Sequence, residues 1–248
     1  MTQPFRPDTT LPCTLLPSPN HGDRKGRTVD AIILHYTDMP TAEAAVAVLC
    51  DPATEVSSHY LVDEDGGIVQ MVPEDRRAWH AGRSYWRGER DLNSVSIGIE
   101  IANGGLRGGL PPFPDRQIDA VIALCRDIAR RRDVPADRVL AHSDIAPGRK
   151  VDPGPRFPWG LLAQAGLGVR PSVPQVIPGV SLALGATGYR VAALQKSLTA
   201  WGADVPVSGS FDKATQTAVA AFQLHFRPAQ HDGIADEETF ALAATFVA

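Results

Sequence analysis

Cysteine is scarce. The 248 residues hold three, Cys13, Cys50 and Cys125. They are odd in number, widely spaced and without a CxxC pair, which argues against a disulfide framework and against a thiolate zinc site. An excess of charge of one sign is also missing. The net charge is −4 with 21% charged residues, so neither nucleic acid nor an anionic membrane is expected as the main partner. No apolar run approaches the ~20 residues needed to span a bilayer. The N-terminal stretch "MTQPFRPDTTLPCTLLPSPN" carries five prolines and lacks the apolar core of ~7–15 residues that a secretory signal needs. The sequence therefore points to the cytoplasm, with the periplasm or cell envelope as the alternative if export uses a route it does not display. What is present is ordinary for a globular chain: 44% hydrophobic residues, and length enough for one large domain or for one medium and one small domain.

Residues 1–28 read as an irregular arm. "AIILHYT" (31–37) is a short, branched, apolar run and predicts a buried strand. "TAEAAVAVLC" (41–50) predicts a helix capped by Thr41. "SSHYLVDEDGGIVQMVP" (57–73) sets two strand-like runs around Asp-Gly-Gly, a hairpin pattern. In "SVSIGIEIAN" (94–103), Val95, Ile97, Ile99 and Ile101 alternate with Ser96, Gly98, Glu100 and Ala102, so a strand with one apolar face is expected. Gly98 would leave room beside Glu100 for water or substrate. Asp115 is placed as the cap of a helix whose stripe is Ile118, Val121, Ile122, Cys125, Ile128 and Ala129. "RVLAH" (138–142) reads as a further strand. This mixture predicts an α/β (α+β) domain: a mixed central sheet flanked by helices.

Residues 166–181, "GLGVRPSVPQVIPGVS", hold three Pro and three Gly without periodicity and read as a stiff linker. Beyond it three short helices are expected. Their stripes are Val191, Leu194, Leu198 and Trp201; then Thr215, Val219, Phe222 and Phe226 behind the cap Asp212; then Phe240 and Phe246 behind the cap Asp236. The expected domains are thus 1–165, a linker over 166–181, and a small three-helix bundle over 182–248.

Chemistry concentrates at strand ends. His35 follows "AIIL", Glu100 sits on the polar face of its strand, and His142 follows "RVLA". Two His and one carboxylate make a catalytic zinc set that leaves a fourth position for water. The carboxylate must come from "AHSDIAPGRKVDPGP" (141–155). Asp152 is the better candidate because Pro153 and Pro155 restrain its backbone, whereas Asp144 suits a turn cap. An ammonium two residues from Asp152, that of Lys150, is suited to a developing oxyanion.

"IILHYT", "SSHYLVDEDGGIVQMV", "AWHAG", "LNSVSIGIEI" and "AHSDIAPGRKVDPGP", in this order over about residues 20–160, resemble the type 2 zinc-dependent N-acetylmuramoyl-L-alanine amidases, relatives of the peptidoglycan recognition proteins. The tail, with "GYRVAALQKSLTAWG", "VSGSFDKATQTAVAAFQ" and "DGIADEETF", resembles the peptidoglycan-binding module attached to many wall hydrolases. The resemblance implies one zinc per chain on His35, His142 and Asp152. It implies Glu100 as general base and Lys150 as transition-state cation. The reaction implied is cleavage of the amide joining the lactyl group of N-acetylmuramic acid to L-Ala of the stem peptide, in peptidoglycan or muropeptides. Asn93, His80, Trp86 and Tyr36 are expected near the substrate, and a monomer is expected. Two rivals share the fold: a non-catalytic peptidoglycan receptor, which would lack a ligand, and a peptidase acting within the stem peptide.

Overall fold

The structure, a computed structural model, describes residues 5–172, 176 and 179–247. Of the expected linker, residues 173–175, 177 and 178 lie outside the described residues, as do residues 1–4 of the arm. In chain order the elements are β1 (Thr14–Leu15), β2 (His21–Asp23), β3 (Ala31–Tyr36), α1 (Ala42–Leu49), β4 (Tyr60–Val62), β5 (Ile68–Gln70), β6 (Arg76–Ala78), α2 (Leu92–Val95), β7 (Ser96–Ile101), α3 (Asp115–Arg132), β8 (Val139–Ala141), α4 (His142–Ile145), α5 (Trp159–Gln164), α6 (Tyr189–Trp201), α7 (Lys213–Phe226) and α8 (Glu237–Ala244). The chain divides into two compact units.

The first unit comprises residues 1–82, 91–142 and 152–169. Its six-stranded sheet has the order β1-β5-β4-β7-β3-β8. Only the β4–β5 hairpin pairs antiparallel; the other neighbours are parallel. This is the mixed sheet that the alternation of periods predicted. Side chains on one face, Ile32, Leu34, Ile97, Ile99 and Ile101, pack under Ile118, Val121, Leu124, Cys125 and Ile128 of α3. On the other face Leu61, Met71 and Ala102 pack against Ala42, Ala45 and Leu49 of α1. The Thr41 hydroxyl accepts the Ala44 N–H and caps α1 as expected. Asp115, by contrast, is the first helical residue of α3, behind Pro114, and makes no cap bond.

The N-terminal arm is more ordered than its proline content suggested. β1 extends the sheet beside β5, and β2 pairs with β6. Thr9 Oγ1 and Thr10 Oγ1 donate to the Asp127 carboxylate of α3 at 2.8 and 3.1 Å. Two-residue and three-residue strands carry too little periodicity to be read without their partners.

The second unit comprises residues 83–90, 143–151 and 170–248. The stripes of α6 and α7 build its core, with Val191, Leu194, Leu198, Trp201, Val219 and Phe222 buried; on α8 the buried apolar residues are Leu242 and Ala243, whereas the expected Phe240 and Phe246 are only half-buried and Phe246 lies beyond the helix. Two of its corners are built alike. Gln195 accepts the Gly209 N–H at 2.8 Å and donates to Thr215 Oγ1 at 2.9 Å. Gln223 accepts the Gly233 N–H at 2.9 Å and donates to Thr239 Oγ1 at 3.1 Å. Each Thr N–H in turn is capped by the Asp three residues earlier, Asp212 or Asp236, at 2.8 Å. Both glycines take positive φ, +74° and +77°, which a side chain would strain. The Gln…Gly-x-x-Asp-x-x-Thr pattern is therefore an internal repeat. Among the described residues, no helix is long and apolar enough to cross a membrane.

Candidate active site

Strand register brings the expected residues together. His35 and Glu100 are direct partners in the parallel β3–β7 ladder, so their side chains share a face. Ala141 of β8 pairs with Leu34 and belongs to the apolar face, so the next residue, His142, turns to the face of His35. Asp152 completes the group. His35 Nδ1 and His142 Nδ1 lie 3.1 and 2.9 Å from Asp152 Oδ2, and 2.9 Å from each other. All three residues are buried, and they are the metal-type cluster found among the described residues.

The outer nitrogens settle what the inner ones offer. His142 Nε2 faces the Ala81 carbonyl at 3.1 Å and must donate to it, which leaves Nδ1 as a lone pair. His35 Nε2 lies 3.0 Å from His80 Nδ1, and His80 Nε2 lies 3.3 Å from Ser96 Oγ, whose hydroxyl donates to the Leu92 carbonyl. Read from that carbonyl backwards, each group donates to the next, so His35 also presents a lone pair at Nδ1. Two lone pairs and a carboxylate facing one another repel unless a cation sits among them. Tetrahedral zinc with ligands at ~2.0–2.2 Å sets them roughly 3.4 Å apart, a few tenths of an ångström wider than here. The donor set, two imidazoles and one carboxylate with both imidazoles held from behind, fits a catalytic zinc.

A second tier of histidine backs this triangle. A Cβ at Gly98 would meet the His80 ring at 2.5 Å. The space expected for water beside Glu100 is thus filled by His80. His59 accepts the Gly98 N–H at Nδ1 and donates from Nε2 to the Arg76 carbonyl, both at 3.0 Å. Burial, reinforced by the neighbouring Arg24 guanidinium, pushes His59 down to about 3, so it is neutral at physiological pH. His80 is likewise lowered well below the usual imidazole value, by burial first and then by the surrounding histidines.

The remaining expected residues stand outside the ligand triangle. Asn93 is buried, and its Oδ1 accepts the N–H of His80 and Ala81 at 3.0 and 2.8 Å. It fixes the backbone that carries His80 and the Ala81 carbonyl. Trp86 lies in the second unit. It is 1% exposed and stacks edge-on with Trp201 at 5.0 Å in the second unit, so its ring has no face to offer a sugar. His80 is half-buried behind His35. Tyr36 is buried, with Gly154 against its ring; burial and the charges of Asp152 and Asp38 push its hydroxyl up to about 12. Glu100 is half-buried with one carboxylate oxygen, Oε2, buried. Lys150 is exposed on the 143–151 segment of the second unit. The holding roles of His80 and Asn93 were missed from sequence, although a glycine inside a strand signals that another group approaches closely.

Comparison with known proteins bears on this arrangement. Residues 25–155 match the family model described as N-acetylmuramoyl-L-alanine amidase, and residues 187–242 match a peptidoglycan binding domain. The N-acetylmuramoyl-L-alanine amidase AmiD of Escherichia coli strain K12 is 40% identical over 227 residues, covering 87% of this chain and 81% of that protein. The 1,6-anhydro-N-acetylmuramyl-L-alanine amidase AmpD of Enterobacter cloacae is 38% identical over 138 residues, covering 56% of this chain and 70% of that one. Among solved structures, AmiD from E. coli in complex with the substrate anhydro-N-acetylmuramic acid-L-Ala-D-gamma-Glu-L-Lys superposes with a TM-score of 0.73 at 37% identity, covering 91% of this chain and 90% of that one. AmpDh3 from Pseudomonas aeruginosa does so with a TM-score of 0.72 at 29% identity, covering 97% and 96%. A buried two-histidine, one-aspartate cluster, on a sheet shared with these enzymes and reached by sequence and structure alike, means that the chain belongs to the N-acetylmuramoyl-L-alanine amidase family.

Proposed function

We propose that this chain is a zinc amidase that hydrolyses the bond between the lactyl group of N-acetylmuramic acid and L-Ala, in muropeptides or peptidoglycan. The observation that carries this reading is the closed His35–His142–Asp152 triangle, whose two outer imidazole nitrogens are committed as donors. Zinc held there supplies a Lewis acid that polarises the amide carbonyl and acidifies water. Glu100 takes the proton of the attacking water and passes it to the leaving nitrogen of L-Ala. The Lys150 ammonium offsets the negative charge on the oxygen of the tetrahedral intermediate. The receptor reading is disfavoured because no ligand is missing. The peptidase reading is disfavoured because AmiD, which this chain resembles along most of its length, carries the amidase name and a muramyl-peptide substrate in its complex. The module over residues 187–242 adds a second contact to polymeric wall, raising local concentration without altering the chemistry.

The test is removal of the metal. Elemental analysis should find one zinc per chain, and chelation should abolish turnover of anhydro-muramyl peptides. Circular dichroism should change little, since three ligands on a sheet with its own core do not nucleate the fold. Zinc should restore activity. Full turnover in excess chelator contradicts the reading.

A further inference from the structure

The segment 143–151 joins one proposed metal ligand to another: it begins after His142 and ends before Asp152. It also belongs to the same compact unit as the three C-terminal helices. We infer that α7 positions this segment, with His225 as the chief positioning residue, so that the helical module sets the zinc affinity of the site as well as binding wall.

The contacts are specific. His225 Nδ1 of α7 lies 2.8 Å from Asp144 Oδ2, with side-chain exposures of 3% and 0%. Asp144 is two residues after His142, and a carboxylate buried this deeply must be held by a donor. A Cβ at Gly148, whose φ is +74°, would meet Thr217 Cγ2 of α7 at 2.8 Å, so only glycine lets the turn lie this close. Tyr85 donates its N–H to the Ile145 carbonyl at 2.8 Å, and Arg149 Nη2 donates to the Arg83 carbonyl at 2.8 Å. The strip carrying those partners is itself pinned through Trp86, which fits against Gly202 where a Cβ would meet it at 2.5 Å, and through Arg87 N–H to the Gly202 carbonyl at 3.1 Å. Four points of the 143–151 segment, at Asp144, Ile145, Gly148 and Arg149, are thus referenced to the helices or to the strip they hold. A connector that only tethered a wall-binding module would need none of this. Metal affinity depends on how rigidly groups behind the ligands hold them.

This inference rests on the metal reading above, and its test separates the two. In the full chain, the zinc dissociation constant is measured by competition with a chromophoric chelator for wild type, His225→Ala, His225→Asn, Gly148→Ala and Phe240→Ala. Wild type should bind one zinc. His225→Ala should weaken binding about tenfold or more. His225→Asn, which keeps an N–H near the place of Nδ1, should recover most of it. Gly148→Ala should also weaken binding, without emptying the core, and serves if His225→Ala does not fold. Phe240→Ala, on α8, loosens the module away from the segment and should leave the constant unchanged. The inference is overturned if folded His225→Ala and Gly148→Ala both bind zinc as wild type does. It is equally overturned if Phe240→Ala weakens binding as much as they do. A wild-type protein that binds no zinc overturns the metal reading, and this with it.

Discussion

At Gly98 an added methyl group would meet the His80 ring at 2.5 Å, and His80 Nδ1 lies 3.0 Å from His35 Nε2. Removing the ring by His80→Ala, or displacing it by Gly98→Ala, should therefore weaken zinc binding by about 10–100-fold, read by the same chelator competition. A wild-type constant in both variants would show that His35 needs no holding. Glu100 is different in kind. It shares a face with His35 through the β3–β7 register but stands outside the ligand triangle. Glu100→Gln should retain zinc and fold and lose turnover by about 10²–10⁴-fold. Loss of zinc, or turnover near that of wild type, would contradict the base assignment. Single residues were legible in the sequence where chemistry demanded a type: His35 and His142 stood out because each follows an apolar strand run, and Asp152 because Pro153 and Pro155 restrain its backbone in a ligand-rich loop. The holding contacts of Asn93, His80 and Trp86 were not legible, because a polar or aromatic residue in a loop says nothing of what it faces once folded.

Among the elements, the junction of the segment after β5 with the C-terminal end of α3 offers a pH test. Glu74 is fully buried; Arg131 grips it with two nitrogens, and Tyr60 and Arg132 donate as well, all at 2.7 Å. Burial favours its neutral form, but the hydrogen bonds from Arg131, Tyr60 and Arg132 outweigh that and lower the carboxyl below its ordinary value. A folded value below the unfolded one of about 4.3 stabilises the protein above that pH, and the stabilisation is lost as pH falls through the folded value. The unfolding free energy of wild type should therefore drop more steeply between about pH 5 and 3 than that of Glu74→Gln, by denaturant titration at each pH. Parallel slopes would mean that Glu74 contributes no such linkage. His59 adds an acid-side loss common to both proteins, since its folded value of about 3 lies below the ordinary one. The long elements were legible because α3 repeats Ile118, Val121, Cys125 and Ile128 at helical spacing and β7 alternates Ile97, Ile99 and Ile101 at strand spacing. β1 and β2 were not, because their definition comes from partners, β5 and β6, far along the chain.

For the molecule as a whole, two features escaped linear reading. The Gln…Gly-x-x-Asp-x-x-Thr repeat of the helical unit is spaced unequally, Gln195 to Gly209 and Gln223 to Gly233, so it emerges only when both hydrogen-bond corners are seen. Segments 83–90 and 143–151 group with the helices although they lie among the amidase motifs, because compact units follow contacts, not sequence order. Trp86, held edge-on by Trp201, should make this grouping measurable: Trp86→Ala should cost about 3–5 kcal/mol in the unfolding of the helical unit, followed by calorimetry, and an unchanged transition would contradict its structural role. The central claim concerns which bond is cut, and mass spectrometry of the products tests it most directly. Zinc-loaded protein incubated with anhydro-muramyl peptides should release whole stem peptides beginning at L-Ala together with peptide-free anhydro-muramic sugar. Sugar still carrying L-Ala, with shortened peptides beside it, would mean that the site cuts within the stem and that the amidase account is wrong.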